Sequence, residues 1–377
     1  MTGIPVVFPC FPRSPIDAWL EGELARSFPE CSGSGDPASR LERARFSLLR
    51  RRLAYAAQNS RLYRKRLAGH DLDIHSLEEF RRLPFTLPED LRESLDLLCI
   101  SPGSVRRIVS LGTSGTAGVP KRIMFSRGDL ERTASFFAAG MSQLARRGQR
   151  LLVLLPGAQR PDGVADLLRQ ALAPAGVQVF SGNAEISDAS LPEEIPLFRP
   201  HALVAGPGQL AKMLEMSRRN PKLRRAAACL GGILSSGDLL SPELRTSLEA
   251  EFQCPVLDHW GMTETCFGGG VECLAQSGYH LRELDLFIEI LSPLTGEPVP
   301  DGETGEIVLT TLRNEAMPLI RYRTGDAAGW LPGPCPCGSP LRRLSGIKGR
   351  YVRHGGQIRL AHLSKGTHYD QPASTSA

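Results

Sequence analysis

Long apolar runs are missing from this sequence, and so is a concentration of charge. No stretch of about 18 consecutive apolar residues is present, the length that a membrane-spanning helix requires. Lysine is scarce, with 6 lysines against 39 arginines, and the basic residues are scattered along a chain whose net charge is only +5. Such a dispersed charge does not indicate a nucleic-acid surface. We therefore expect neither a nucleic-acid partner nor a membrane partner.

The pattern of a secretory signal is also missing. The N-terminal segment MTGIPVVFPCFPRSP lacks a basic stretch and is interrupted by prolines, which is not typical of a signal peptide. We therefore expect a cytoplasmic protein. A composition of 41% hydrophobic and 23% charged residues over 377 residues predicts a sizeable core and room for two or three domains.

Nine cysteines are present, an odd number for a chain expected in the cytoplasm, where disulfides are disfavoured. Thiols that cluster in such a chain are interpreted first as metal ligands. Cys273 precedes His280 by seven positions, and the constrained knuckle GPCPCGS contains Cys335 and Cys337. Together they supply the three thiolates and one imidazole of a tetrahedral zinc site, with Cys266 as an alternative ligand. The isolated cysteines are expected to be inert packing residues: Cys10, Cys31, Cys99, Cys229 and Cys254.

From residue 150 onward, short apolar runs alternate with amphipathic segments. Each run has the length of a buried strand, and a segment with helical spacing follows most of them. Strands that alternate with helices predict a parallel sheet wound right-handedly, with functional sites at the carboxyl ends of its strands. The predicted strands are 150–156, 177–180, 202–207, 229–237 and 255–261, and the predicted helices are 162–173, 209–218 and one that begins near Ser241.

The regions on either side of this alternation differ in character. Residues 40–69 show helical spacing, and shorter helices are predicted at 76–82, where Ser76 begins a capping box, and at 84–95. After about residue 280, apolar strands separated by turns predict a compact antiparallel β-subdomain. We divide the chain into an N-terminal extension, an α/β core, a β-subdomain with the zinc knuckle, and a short remainder with a disordered tail: 1–39, 40–280, 281–350 and 351–377.

Residues 109–125 read VSLGTSGTAGVPKRIMF, in which small residues follow an apolar run. This is not a Walker A sequence, because the nearby lysine, Lys121, follows a valine and a proline. Small residues allow backbone N–H groups to approach a phosphate, and serine and threonine hydroxyls add further donors. Taken alone, the stretch equally fits a turn between two strands.

Two further motifs place a carboxylate after a predicted strand or turn. In DHWGMTE, residues 258–264, Glu264 can hold a hard cation such as Mg²⁺, although a simple strand-to-loop turn has the same pattern. In YRTGD, residues 322–326, Asp326 can bind the vicinal hydroxyls of a ribose, although an aspartate that stabilises its own turn also fits. IKGR, which ends at Arg350, is weaker still, because a basic surface loop has the same composition.

The order of these motifs is more specific than any one of them. TSGTAGVPK, SSGD, HWGMTE, YRTGD and IKGR follow one another as in the adenylate-forming enzymes, and the chain resembles that family over about residues 45–350. The segment 293–326 is similar in detail to phenylacetate–CoA ligase and coenzyme F390 synthetase. The resemblance implies the α/β core of the adenylate-forming enzymes, with wound parallel sheets flanked by helices and a small antiparallel β-subdomain.

The resemblance also implies a reaction. A carboxylate attacks the α-phosphate of ATP, pyrophosphate leaves with Mg²⁺, and the thiol of coenzyme A then displaces AMP from the acyl-adenylate. Thr263, Glu264 and Lys121 would act on the phosphates, with Glu264 on the Mg²⁺. The resemblance to members of this branch that carry Cys-x-Cys-Gly knuckles also implies zinc binding through these thiols. The residues implied in nucleotide binding are Ser114, Gly115, Thr116, Gly118, Ser236, Gly237, Asp238, His259, Trp260, Gly261, Met262, Asp326 and Arg350.

The chain departs from the family pattern in two places. In the phosphate loop, Ala117 and Val119 stand where the family has threonine and lysine, and we expect Lys121 to compensate. Relatives continue after IKGR as a mobile lid, whereas 27 residues follow Arg350 here. We therefore expect that a separate chain supplies the lid, that the protein catalyses less than its relatives, or that the sequence is truncated.

Three functions follow from these observations. The leading hypothesis is an AMP-forming ligase that passes a small, aromatic carboxylate to coenzyme A. Homodimers are common among the enzymes that the chain resembles, and the sequence leaves the oligomeric state open. The alternatives are an adenylyltransferase of the coenzyme F390 synthetase type and a nucleotide-binding regulatory or scaffold protein without a lid. The acyl pocket is expected between residues 130–165 and 230–270, with apolar walls from Phe136 and Phe137.

Overall fold

The computed structural model of the chain describes residues 11–29, 36–111, 120–183, 191–354 and 357–361. Within these ranges, no helix combines the length and the apolar character needed to cross a bilayer.

Helices form the N-terminal part of the fold. They are α1 (Pro15–Ser27), α2 (Pro37–Asn59), α3 (Arg61–Arg66), α4 (Leu77–Arg81) and α5 (Ser94–Leu97). Ser60 divides the helical stretch predicted at 40–69, because it ends α2 and its Oγ accepts the amide of Tyr63 in α3 at 3.3 Å. Ser76 caps α4 as predicted, since its Oγ accepts the amide of Glu79 at 3.1 Å.

Two helical segments differ from the sequence prediction. The N-terminal segment that was assigned no structure contains α1, whose first turn is capped by Ser14. The helix predicted at 84–95 is a 3-10 helix over Pro88–Glu93 that continues into α5. Its tighter turn holds the carboxylate of Asp90, which accepts the amide of Leu87 at 2.7 Å.

The glycine-rich loop connects two strands of a hairpin. These are β1 (Arg107–Leu111) and β2 (Lys121–Phe125), which pair antiparallel. Leu111 lies opposite Lys121 in this pairing, so both ends of the loop leave the hairpin at the same point.

The predicted alternation of strands and helices is confirmed. The strands β3 to β7 all run parallel, in the spatial order β4-β3-β5-β6-β7, and each prediction matched one strand. The elements are α6 (Arg127–Met141), β3 (Arg150–Leu154), α7 (Val164–Leu172), β4 (Gln178–Ser181), α8 (Leu191–Phe198), β5 (Ala202–Ala205), α9 (Pro207–Arg219), α10 (Pro221–Ala227), β6 (Gly232–Ser236), α11 (Pro242–Phe252) and β7 (Val256–Trp260).

Helices cover both faces of this parallel sheet. In β3, Leu151 and Val153 belong to one hydrophobic core, whereas Leu152 and Leu154 belong to another. Alternate side chains of a strand point to opposite faces, so a continuous apolar run is the pattern that a strand buried on both sides requires.

The remaining strands are antiparallel and belong to two sheets. They are β8 (Gly270–Glu272), β9 (Tyr279–Leu281), β10 (Leu286–Leu291), β11 (Gly305–Thr311), β12 (Tyr322–Ala328), β13 (Arg343–Leu344), β14 (Gly349–His354) and β15 (Gln357–Ala361). β8, β9 and β13 extend the large sheet beyond β7, and the other five form a sheet in the order β10-β11-β12-β14-β15.

The segment predicted as one β-subdomain, 281–350, therefore contributes to both sheets. β13 pairs with β9 of the large sheet, and the Arg343 guanidinium donates to the carbonyl oxygens of Ser277 and Gly333 at 2.6 and 3.1 Å. The antiparallel sheet also continues past residue 350 into the hairpin of β14 and β15.

Candidate functional site

The carboxyl ends of β6 and β7 lie side by side and carry the first candidate residues. Ser236 and His259 are opposite each other in the parallel register, and Ser236 Oγ lies 3.0 Å from His259 Nδ1. Gly237 then turns the chain with a φ of +92°, which glycine adopts without a steric cost. Asp238 stabilises this turn, since its carboxylate accepts the amide of Leu239 at 2.8 Å.

The loop after β7 is packed closely against itself. A Cβ atom at Gly261 would lie 2.3 Å from the carbonyl oxygen of Phe267, so a larger residue does not fit there. The next turn is a 3-10 turn over Thr263–Thr265, and Thr265 Oγ1 accepts the amide of Met262 at 3.0 Å. These contacts fix the backbone that presents Thr263 and the neighbouring carboxylate.

Two consecutive residues at the end of this loop have left-handed backbone conformations. The φ angles of Cys266 and Phe267 are 54° and 69°, which is uncommon for residues with a side chain. Thr133 of α6 holds the first of them, because its Oγ1 donates to the carbonyl oxygen of Cys266 at 2.9 Å. The Cys266 thiol faces the carbonyl oxygen of Asp129 at 3.7 Å, so the alternative assignment of Cys266 as a metal ligand is wrong.

Glu264 is buried where the two sheets meet, at 5% exposure. Tyr322, at the start of β12, donates a hydrogen bond from its hydroxyl to Glu264 Oε1 at 2.8 Å. Burial, reinforced by this carboxylate, raises the pKa of Tyr322 well above its usual value, so the phenol stays protonated and remains a donor. The sequence motif contained Tyr322, but its role depends on a partner 58 positions away and gave no local signal.

Asp326 lies at the far end of β12 between two other candidates. Trp260 Nε1 donates to Asp326 Oδ2 over a long 3.4 Å, and Arg350, which is opposite in the β12–β14 register, approaches Oδ1 to 3.7 Å. Oδ1 accepts no hydrogen bond from the described residues. Burial raises the pKa of Asp326 to about 6, against the opposing effect of Arg350.

The residues predicted in the phosphate loop are located only in part. Lys121 is the first residue of β2, at the foot of the loop, and is half-buried. The other candidates in this loop lie outside the described residues: Ser114, Gly115, Thr116 and Gly118.

A cavity of about 50 Å³ opens beside His259, where an acyl pocket was expected. That volume exceeds the roughly 10–15 Å³ that one water occupies. Phe136 and Phe137 of α6 form part of its apolar wall, and Ser236 and His259 are the polar residues that line it. Burial lowers the pKa of His259 to about 4, with a further contribution from Arg282, so the imidazole is neutral at physiological pH. The remaining lining residues are Gly140, Met141, Leu155, Val164, Leu168, Val204, Leu234, Phe267 and Val271.

The four residues predicted as metal ligands come together at the edge of the large sheet. Ligand atoms of Cys273, His280, Cys335 and Cys337 all lie within 4.8 Å of one another, and all four residues are buried. The Sγ atoms of Cys273 and Cys335 are 3.7 Å apart, as are Cys337 Sγ and His280 Nε2. Two ligands bound at about 2.3 Å to a tetrahedral centre lie about 3.8 Å apart, so the spacing fits one shared ion.

The thiols differ in their ionisation. Burial alone would raise the pKa of Cys337, but the hydrogen bond from His280 and neighbouring groups more than offset it, and the pKa is lowered to about 6. The thiolate is the form that binds metals. Burial raises the pKa of Cys273 in the same cluster, and it raises the pKa of the isolated thiols Cys99 and Cys254 to about 12. Cys10 and Cys31 lie outside the described residues.

Comparison with known proteins identifies the class. Residues 110–312 match the sequence model of the family described as AMP-binding enzyme. That match spans more than half of the chain and covers the glycine-rich loop, the ends of β6 and β7, and the metal-ligand candidates Cys273 and His280. The chain belongs to the AMP-binding enzyme family.

Individual relatives define the branch. Phenylacetate-coenzyme A ligase of Pseudomonas putida is 30% identical over 325 residues, which cover 82% of this chain and 69% of that protein. The enzyme of the same name from Escherichia coli strain K12 is 28% identical over 307 residues, 79% of this chain and 68% of that protein. Within its family the chain is therefore similar to the phenylacetate–coenzyme A ligases, and it is an ATP-dependent, AMP-forming ligase.

The solved structures agree on the fold. An open conformation of 2-hydroxyisobutyryl-CoA ligase, in complex with 2-HIB-AMP and CoA, superposes with a TM-score of 0.73. The match covers 86% of this chain and 73% of that one at 23% sequence identity. This similarity supports the α/β core of an adenylate-forming enzyme, as the motif order predicted.

Proposed function

We propose that the protein activates a small aromatic carboxylic acid with ATP and transfers the acyl group to coenzyme A. The observation that carries this proposal is the position of the cavity. Its apolar wall, with Phe136 and Phe137, adjoins His259 and Ser236 at the strand ends, one residue from Trp260. At about 50 Å³ the cavity is smaller than the roughly 150 Å³ that holds benzene in a protein core, so its walls would have to move apart to admit an aromatic ring. An aromatic acid bound there would present its carboxylate to a nucleotide bound across the same strand ends. The phenylacetate ligases among its relatives support an aromatic substrate.

The nucleotide would lie across the ends of β7 and β12. Asp326 is suited to accept the two ribose hydroxyls, since Oδ1 has no hydrogen bond from the described residues and Trp260 and Arg350 hold the carboxylate in place. Gly237, Asp238 and the glycine-rich loop then flank the remainder of the nucleotide. Ser236 and His259 line the cavity, so we assign them to the acyl group rather than to adenine.

Glu264 and Thr263 are suited to the phosphate end. The buried carboxylate and the hydroxyl beside it are oxygen donors of the kind that Mg²⁺ accepts, and Mg²⁺ requires only one or two protein carboxylates. The ion, when bound, would neutralise charge on the phosphates of ATP. Tyr322 orients Glu264 by its hydrogen bond, and Lys121 is positioned at the foot of the loop to add a positive charge.

The cluster of Cys273, His280, Cys335 and Cys337 is proposed as a structural zinc site. Its donor set and spacing fit a tetrahedral ion, and no further ligand position is needed for chemistry. The ion, when bound, would join β8 and β9 to the knuckle that follows β12.

The direct test is AMP formation from Mg-ATP with a panel of carboxylic acids, with and without coenzyme A. We expect AMP only when an aromatic acid and coenzyme A are both present, and exchange of pyrophosphate into ATP with the acid alone. Asp326→Asn should weaken both reactions, whereas Asp301→Asn, an exposed aspartate in a turn, should not. ATP binding without turnover on any acid would contradict the proposal and favour a regulatory nucleotide-binding protein.

A further inference from the structure

We propose that α1 is part of the metal centre and connects it to the wall of the acyl cavity. Asp17 would hold the metal ligand His280 on one side of the helix, and Trp19 supports Phe136 on the other. Asp17 and Trp19 are therefore assigned as positioning residues. This inference rests on the proposed zinc site and on the proposed acyl role of the cavity.

The first contact is between Asp17 and the metal cluster. Asp17 is only 2% exposed, and its Oδ1 accepts the hydroxyl of Ser339, in the cysteine knuckle, at 2.9 Å. The same oxygen lies 3.9 Å from His280 Nδ1. Arg13 donates to the other oxygen at 2.7 Å and balances the buried charge.

The ring of His280 is oriented so that one nitrogen faces the metal cluster and the other faces Asp17. Its Nε2 faces the Cys337 thiol, and its Nδ1 is buried without a hydrogen-bond partner among the described residues. A metal-bound histidine generally donates its second ring N–H to a carboxylate or carbonyl, which fixes the tautomer and the ring orientation. A movement of about 1 Å would bring Asp17 Oδ1 into hydrogen-bond distance of Nδ1. Asp17 is thus the outer partner that this histidine requires.

The second contact is between Trp19 and the helix that forms the cavity wall. Trp19 Nε1 donates to Ser135 Oγ of α6 at 2.9 Å, and its ring packs edge-on against Phe136 with the centroids 5.5 Å apart. Two positions along a helix correspond to a rotation of about 200°, so Asp17 and Trp19 point to nearly opposite sides. The helix therefore lies between the cluster and the cavity wall.

A chain of buried charges makes a second connection to the same phenylalanine. Glu23, near the end of α1, forms an ion pair with Arg313 at 2.8 Å, and Arg313 forms another with Asp285 at 2.8 Å. Asp285 is paired in turn with Arg282 at 3.1 Å, and the Arg282 guanidinium lies 5.5 Å from the centre of the Phe136 ring. Displacement of α1 would disturb both supports of Phe136 at once.

Metal binding should therefore affect acid recognition more than nucleotide recognition. Without the ion, His280 and Asp17 lose their fixed arrangement, and α1 is held only by its packing and by the contacts near Trp19 and Glu23. The cavity wall then loses rigidity, whereas Asp326 and Glu264 are held by residues outside α1. We expect a higher KM for the acid and an unchanged KM for ATP.

The decisive variant is Asp17→Asn, which keeps the size of the side chain but removes its charge. The residue at position 17 then accepts a weaker hydrogen bond from the Nδ1–H group of His280. We expect zinc affinity, measured by competition with a chromophoric chelator, to fall about 10–100-fold, the usual effect of removing an outer partner of a metal ligand. Glu42→Gln, on an exposed acid of α2, is the control and should bind zinc as the parent protein does. Wild-type zinc affinity in Asp17→Asn would overturn the inference.

If Asp17→Asn fails to fold, Ser339→Ala removes one of its hydrogen bonds and should lower zinc affinity in the same direction, and unchanged affinity would count against the inference. Hydrogen exchange supplies a second readout that needs no substrate. Amides of α1 should exchange faster after zinc is removed, and those of α9, on the opposite face of the sheet, should not. Equal protection of α1 with and without zinc would exclude the proposed coupling.

The other end of the helix is tested with Trp19→Phe, which removes the hydrogen bond to Ser135 but keeps an aromatic ring. Zinc affinity should be unchanged, while the KM for the acid rises several-fold and the KM for ATP stays constant. A KM for the acid equal to that of the parent would exclude the role of Trp19. If no acid is activated at all, the proposed function fails, and the zinc and exchange measurements still decide whether α1 belongs to the metal centre.

Discussion

The strand-end site and the metal cluster differ in how their buried polar groups find partners. At the strand ends, Asp326 Oδ1 and His259 Nε2 are buried without hydrogen bonds from the described residues. In the cluster, four ligand atoms face one another within 4.8 Å, and His280 Nδ1, which is buried without a hydrogen bond from the described residues, faces the carboxylate of Asp17. Buried polar groups without partners are costly, so a site that keeps them is suited to a ligand that comes and goes. Groups that satisfy one another through a shared ion suit a permanent structural role.

The largest effect is expected from the strand-end site. Glu264→Gln should lower the rate of pyrophosphate exchange by about 100-fold or more, since removing one electrostatic contact of a transition state has effects of this size. Tyr322 would still have an oxygen to donate to, so the fold should persist. Glu303→Gln, on an exposed turn, is the control. Exchange at the wild-type rate would remove Glu264 from the site.

Substitution of a residue in the metal cluster should have a different effect, because it should cost the protein its bound zinc rather than act directly on the reaction. Cys335→Ser should lower the zinc content from near one ion per chain to near zero and reduce the melting temperature, because the ion contributes to folding. Cys229→Ser, which removes a half-buried thiol outside the cluster, should keep its zinc. Metal analysis of both purified variants decides the point, and an unchanged zinc content in Cys335→Ser would contradict the assignment.

The ionisation of Asp326 gives a pH-dependent test of the same contrast. Its pKa of about 6 lies above the usual value, so the ionised form that accepts ribose hydroxyls is lost as the pH falls through 6. Affinity for adenosine, which carries no phosphate, should therefore be constant above pH 7 and fall about tenfold per pH unit well below 6. Asp326→Asn should bind adenosine weakly at every pH. A flat profile in the parent protein would exclude this role.

The smallest effect concerns the polar end of the cavity. His259 is neutral, and its Nδ1 is hydrogen-bonded to Ser236. Its Nε2 is therefore a donor in one tautomer and an acceptor in the other, and a hydroxyl group of the substrate can hydrogen-bond to Nε2 in both cases. Acids with a ring hydroxyl should be preferred over unsubstituted ones, and His259→Leu should reduce this preference in kcat/KM by about tenfold. Leu234→Met, elsewhere in the wall, should leave the preference unchanged. If His259→Leu keeps the preference of the parent protein for hydroxylated acids, the ring hydroxyl does not bind to His259.

The sequence predicted the parallel sheet well because its signal is local. In the run at 150–156, the side chains that are buried on either face of the sheet are apolar, as a strand buried on both faces requires. The run is also too short for a helix of ordinary length. Cys273 and Cys335 could be grouped because few environments other than a metal site account for paired thiols near a histidine. For the sheet, a short stretch of sequence contained its own physical reason, whereas the metal prediction joined two motifs whose cysteines lie 62 positions apart.

The contacts that complete the two sites have no such local signal. Tyr322 and Glu264 meet because β12 of one sheet passes the end of β7 of the other. Asp17 and Trp19 lie in a helix that the sequence did not predict, and their partners are more than 100 positions away. Only the tertiary arrangement brings such residues together, and β13 joined the large sheet for the same reason.

The left-handed backbone of Phe267 sets a limit on engineering. An L-residue in this conformation costs about 1–2 kcal/mol relative to glycine, but truncating a packed phenylalanine costs about 3–5 kcal/mol, so Phe267→Gly should lower stability on balance. The same ring lines the cavity and packs 5.6 Å from Phe125. The strained backbone at this position is therefore kept for the sake of its side chain, and a stabilising substitution should be sought away from Phe267.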